Sequence, residues 1–170
     1  MNITNIDDIR KLASGDEGGR TEYKLITGQL ERGMETLCAF LNGEGGTVLF
    51  GVADNGKITG QEVSDKTKRE IAEAIRLFEP FATITVSYAN IPDTDKQVIA
   101  LYAEEQRYMR PFTYKGRAYQ RIESVTSVMP QDKYNHLLMQ RGGKYSWEAI
   151  PNPDLQISDL DEDRKSTRLN

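Results

Sequence analysis

AFLNGEGGTVLFGVADNGKITG, residues 39–60, sets six glycines around one short apolar run. Glycine costs chain entropy on folding, so a sequence uses it where a side chain would obstruct something. A phosphate, a metal site or a neighbouring strand could each require so bare a backbone. TVLFGVA has the length and composition of a central strand buried on both faces. Immediately upstream, Leu30, Met34, Leu37, Cys38 and Leu41 recur at i, i+4, i+7, i+8 and i+11, which predicts a helix over 30–42. The run NGEGG ends that helix, because Asn and Gly are the usual residues beyond a helix terminus. Downstream, Asn55-Gly56 marks a tight turn, with KIT expected to return antiparallel.

The same reading extends to both ends of the chain. Asn5 is a candidate N-cap for a short helix in NIDDIRKLA, SGDEGG is a loop, and RTEYKLI alternates as a strand. A second helix is expected over 64–79, starting near Ser64 and stopped by Pro80, with Thr67, Ile71, Ala74, Ile75 and Phe78 on one face. TITVSYANI and QVIALYAEE read as strands joined by PDTDK, and FTYKGRAYQRI as a hairpin about Lys115-Gly116. Pro130 opens a last helix to about Arg141, with Tyr134, Leu137 and Leu138 inward. The order β-α-β-β-α-β-β-β-β-α implies an α+β fold: a mixed, mostly antiparallel sheet with helices packed on it. Residues 1–145 form the expected domain. Residues 146–170, with a charge run and no periodicity, read as a linker or disordered tail leading to a further C-terminal region.

Composition narrows the function classes. Cys38 is the single cysteine and His136 the single histidine, which rules out an internal disulfide and a Cys/His zinc site within one chain. Cys38 falls on the apolar helix face and reads as a small buried hydrophobe, and His136 as surface or packing. No apolar stretch reaches the ~20 residues of a membrane helix, and the N-terminus lacks the pattern of a secretory signal, so no membrane partner and a cytoplasmic location are expected. A net charge of −4 argues against a simple electrostatic nucleic-acid binder. Residues 106–122, however, hold Arg107, Arg110, Lys115, Arg117 and Arg121 and no acid. Tyr108, Phe112, Tyr114 and Tyr119 interleave with them, the mixture expected of a surface that meets phosphates and stacks on bases. Against this stands the plain alternative that the aromatics face the core and the cations are a solvated face. Strand alternation cannot turn all nine outward.

Together, a turn with EYK, then AFLNGEGGTVLFGVADNG with ITG, then YKGRAYQRI resemble the Schlafen-type AlbA domain, a DNA-binding module of bacterial transcriptional regulators and RecG-like proteins. The resemblance spans roughly residues 10–142 and is most specific over Ala39–Gly56. It implies a nucleic-acid-facing groove. It also implies that Gly51 lets its strand lie close beneath carboxylates, with Gly45 and Gly46 serving the helix-to-strand turn. Matching the nucleolytic members residue by residue points to Glu17, Glu22 and Asp54 as a three-carboxylate site. Such oxygen donors suit Mg²⁺ or Mn²⁺, which could activate water against a phosphodiester. Glu22 and Lys24 lie two apart on a strand and so share a face, where Lys24 could stabilise a phosphoryl group or simply pair with Glu22. The chain departs from the family pattern at Gly18, where serine is usual, and at Ala53, in place of the first acid of a pair. No Gly-Lys-Ser/Thr follows the glycines, which excludes a nucleotide-binding P-loop.

These readings favour binding over catalysis. The expected function is that of a nucleic-acid-binding domain, DNA rather than RNA, contacting its ligand through Lys24, Arg107, Arg110, Lys115, Arg117, Tyr119 and Arg121. The alternatives are a metal-dependent endonuclease and a protein-interaction or dimerisation module, and homo-oligomerisation stays open.

Overall fold

Two strands buried on both faces organise the molecule, and their apolar sequences are the reason. The computed structural model describes residues 3, 5–14 and 19–144, with the side chains of 142–144 left aside; Glu17 and the expected tail from 146 onward lie outside the described residues. In chain order the elements are α1 (Ile6–Ala13), β1 (Thr21–Lys24), α2 (Leu30–Leu41), β2 (Gly46–Phe50) and α3 (Asp65–Ile75). There follow β3 (Phe78–Glu79), β4 (Ile84–Asn90), β5 (Gln97–Ala103), β6 (Thr113–Tyr114), β7 (Tyr119–Ile122), β8 (Val125–Val128) and α4 (Gln131–Lys144). The main sheet has the order β1-β2-β5-β4, with β1 parallel to β2 and the other pairs antiparallel. The parallel pair needs a crossover, which α2 supplies.

Alternation along β2 and β5 divides the core in two. Val48, Phe50, Ile99 and Leu101 face α2 and meet Met34, Leu37 and Cys38, whereas Leu49, Val98 and Ala100 face α1 and meet Ile9 and Tyr23. The outer helix is set by its cap: Asn5 Oδ1 accepts from the amides of Asp7 and Asp8 at 2.9 and 3.0 Å.

The glycines of residues 39–60 answer to protein, not to phosphate. Gly51 adopts φ +96°, and a Cβ there would lie 2.9 Å from Gly60 Cα. The amides of Thr59 and Gly60 both donate to Gly51 O, so the approaching group is the returning backbone rather than a set of carboxylates. A Cβ on Gly46 would meet Arg20 O and the Phe40 ring at 2.7 Å. The return itself is slighter than a strand: Val52 bridges Ile58, and Gln61 bridges Gln97.

Three further expectations change. The second helix starts as read, with a reciprocal Ser64–Thr67 capping box, but stops at Ile75 because Phe78 and Glu79 leave it to pair with Tyr114 and Thr113. The turn at Lys115-Gly116 forms, closed by Tyr114 and Arg117, yet β7 pairs onward with β8 rather than back along β6. Leu138 is exposed, while Tyr134 and Leu137 are half-buried.

Candidate nucleic-acid interface

Strand alternation in β1 sends Tyr23 into the α1 side, where its hydroxyl donates to Leu12 O at 3.0 Å, and turns Glu22 and Lys24 to the other face. Lys24 Nζ pairs with Glu22 Oε1, and Arg121 from β7 places a terminal nitrogen 2.9 Å from Glu22 Oε2. Arg121 does more than pair. It donates to Thr126 Oγ1 at 3.1 Å and Thr21 O at 3.4 Å, and its guanidinium lies 5.2 Å from the Phe40 ring centre. Its side chain is 5% exposed, and its buried Nε finds no partner among the described residues. Arg121 therefore binds the β7–β8 ribbon to β1, as a strut inside the domain. Thr126 extends the link to α2 through Thr36 Oγ1 at 3.1 Å.

This arrangement bears on the carboxylates. Both oxygens of Glu22 face cations, and Asp54 is exposed on the tight turn after β2, where Gly56 N donates to Ala53 O. Among the described residues no three His, Cys, Asp or Glu side chains gather as a metal site. A divalent ion would have to displace Lys24 or Arg121 to reach Glu22, so the described donors do not fit one.

The acid-free segment separates into three parts. Phe112, Tyr114 and Tyr119 are buried, while Tyr108 is 60% exposed. Arg107 Nε and Arg110 reach the same Glu105 oxygen at 2.6 and 3.3 Å, and Arg110 Nε also donates to Leu41 O at 3.2 Å. Lys115 and Arg117 flank the exposed turn, with Lys115 Nζ on Glu31 Oε2 at 2.6 Å; Arg121 is interior. Acids absent from the local sequence thus arrive from outside the segment.

Two acids of α2, Glu31 and Glu35, also set the phenols. The Tyr119 hydroxyl donates to Glu35 at 3.0 Å, and burial together with that carboxylate pushes its pKa up to about 12. Burial and Glu31, 3.2 Å from its hydroxyl, raise Tyr114 as well. The Cys38 thiol is pushed up to about 12 by burial and points to Phe112 O, consistent with an inert core residue.

Sequence reading missed the residue that positions the segment. Asn42, just beyond α2, is buried and spends its amide on two distant stretches of backbone. Its Nδ2 donates to Phe112 O and Tyr119 O, while its Oδ1 accepts from Phe112 N. The signal was present in NGEGG but is shared with any helix end. Arg32 and Glu35 were missed too. They join Glu22, Lys24, Thr36 and Thr126 around an open cleft of about 470 Å³.

Comparison places this architecture among known proteins. Residues 17–130 match the family described as Schlafen, AlbA_2. The chain belongs to the Schlafen AlbA_2 family, and is thus at the family level a nucleic-acid-related domain. No curated protein matches it. It is similar to the crystal structure of the DIP2311 protein from Corynebacterium diphtheriae, with TM-score 0.52 and 12% identity over 81% of this chain. At that identity the likeness concerns the fold. The match spans 28% of the DIP2311 chain. No described helix is long and apolar enough to cross a membrane.

Proposed function

We propose that the chain is the DNA-binding module of a cytoplasmic bacterial transcriptional regulator, with residues 106–122 as its main contact surface. One observation carries this reading: Asn42 holds the backbone at Phe112 and Tyr119, so Lys115 and Arg117 are presented on a stretch anchored at both ends, with Arg107 exposed upstream of it. Lys24 and Arg110, both partly buried, add charge behind them, and Tyr119 and Arg121 support the surface from inside. Contacts to phosphate position a protein without reading sequence, so cations of this kind account for affinity rather than specificity.

Binding of the 170-residue chain to matched DNA and RNA, single- and double-stranded, across a salt series tests the reading. DNA is expected to bind more tightly than RNA of the same sequence. Arg117 as a full phosphate contact gives about 0.9 of log–log salt slope on duplex DNA, and Arg107 and Lys115, each already held by an acid, add less than that, so a slope between about −1 and −3 is expected. Absence of DNA binding at about 50 mM salt overturns the proposal.

A further inference from the structure

A second cleft of about 470 Å³ opens between the 105–110 loop and the end of α4, lined by Arg107, Tyr108, Arg110, Leu137, Gln140 and Arg141. Three arginines line it, from two distant parts of the chain. Among the described residues, the carboxylate paired with two of them is Glu105, bridging Arg107 and Arg110. Glu44 acts on the same two arginines at longer range, so among the described residues two carboxylates stand against three arginines and the concavity keeps a net positive charge. Burial pulls the Arg110 pKa down, Glu105 opposes that shift, and the like charge of Arg107 adds a smaller lowering. Arg110 is nonetheless fixed in place, its Nε held on Leu41 O.

The remaining lining is not that of a simple phosphate trap. Tyr108 contributes a ring with most of its surface in solvent, and Leu137 adds an apolar side chain. Gln140 brings an amide that can both donate and accept. The volume falls within the range of about 300–1,000 Å³ typical of pockets for small ligands, enough for a single nucleotide unit.

We propose that this cleft binds an unpaired nucleotide of single-stranded DNA, its phosphate among Arg107, Arg110 and Arg141 and its base stacked on Tyr108. Stacking on a protein ring needs a free base face, and bases inside a duplex are already covered by their neighbours. The inference rests on the DNA-binding reading and adds the strand state that is recognised.

Fluorescence anisotropy with a labelled oligothymidylate and with a blunt DNA hairpin whose loop is a base-free polyether linker, using the full chain, provides the test. The expected result is tighter binding of oligothymidylate than of the hairpin. Tyr108→Leu should weaken the single strand about tenfold, with Tyr108→Phe restoring it. Arg141→Ala should flatten the single-strand salt slope by about 0.7, while Lys66→Ala, an exposed cation on α3 outside the cleft, leaves the preference for single strands intact. These positions are on the surface, and unchanged melting temperatures confirm folding. If the wild type binds DNA but Tyr108→Leu and Arg141→Ala bind like it, the cleft proposal fails and the DNA reading stands. If the wild type prefers the hairpin, the cleft proposal also fails. Failure of the wild type to bind either DNA removes both.

Discussion

Asn42 engages both backbone polar groups of Phe112: its Oδ1 accepts from Phe112 N at 2.7 Å, and its Nδ2 donates to Phe112 O at 2.9 Å. The same nitrogen reaches Tyr119 O at 3.0 Å. Asn42→Ala leaves three buried backbone groups without this partner, and each unmet group costs on the order of 1–3 kcal/mol. A loss of about 3 kcal/mol is expected in urea unfolding. Asn42→Asp should not recover it, because a carboxylate cannot donate to the two carbonyls. A variant as stable as the wild type would mean that the segment is held elsewhere.

Arg121 and Arg117 belong to one basic run but should behave oppositely. Arg121→Met keeps an apolar stem near Phe40 and removes a buried partner of Glu22, at a cost of about 3 kcal/mol. Its DNA salt slope is expected to match the wild type at temperatures where it is folded. Arg117→Ala should leave the melting temperature alone and reduce the duplex slope by about 0.9. Reversal of the two results would place Arg121 at the DNA.

Alkaline pH should act through the phenols. Tyr119 has a folded pKa of about 12 against an ordinary 10.0, so the native state holds its proton more tightly. That contribution to stability is fully present below pH 10 and is lost as pH rises toward 12. Tyrosinate absorbance should therefore show Tyr114 and Tyr119 ionising later than the exposed tyrosines. Tyr119→Phe should lower stability at neutral pH by about 1 kcal/mol and shrink its fall between those pH values. An unchanged pH profile in that variant would assign the alkaline loss to other groups.

Divalent metal provides a check on the carboxylates. Because Lys24 and Arg121 already neutralise Glu22, millimolar Mn²⁺ is expected to leave the melting temperature unchanged. A concentration-dependent rise that disappears in both Asp54→Ala and Glu22→Gln would show that Glu22 can exchange its partners for an ion.

What the sequence revealed follows the range of its signals. The α2 spacing and the apolar run of β2 are local and repeated, and they mark the layers of the core. Phe78–Glu79 offers two residues and a partner 34 or more positions away, so the helical spacing of the sequence runs on through it. The hairpin turn at Lys115-Gly116 is local and legible, whereas β7 and β8 turn about Glu123-Ser124, where Glu123 takes φ +54° without the Asn or Gly that marks such a turn in a sequence. The basic segment was visible as a run of cations. Its division was not, because Glu22 and Glu31 approach it from distant parts of the chain and Glu105 folds back on it from the residue just before it.

Those three carboxylates give the basic segment built-in counterions. A polyanion reaching for Arg107 or Lys115 does not meet a bare cation, and must first outcompete Glu105 or Glu31 at 2.6 Å. Counterion release, the usual entropic drive of protein–DNA association, is correspondingly smaller, since part of the salt cloud is replaced by tethered acids that stay behind. Diffuse attraction to any charged polymer is muted, and a ligand gains only when its phosphates match several exchange points together. Selectivity of this sort is set by the spacing of intramolecular ion pairs, and an acidic protein can have it without a basic surface.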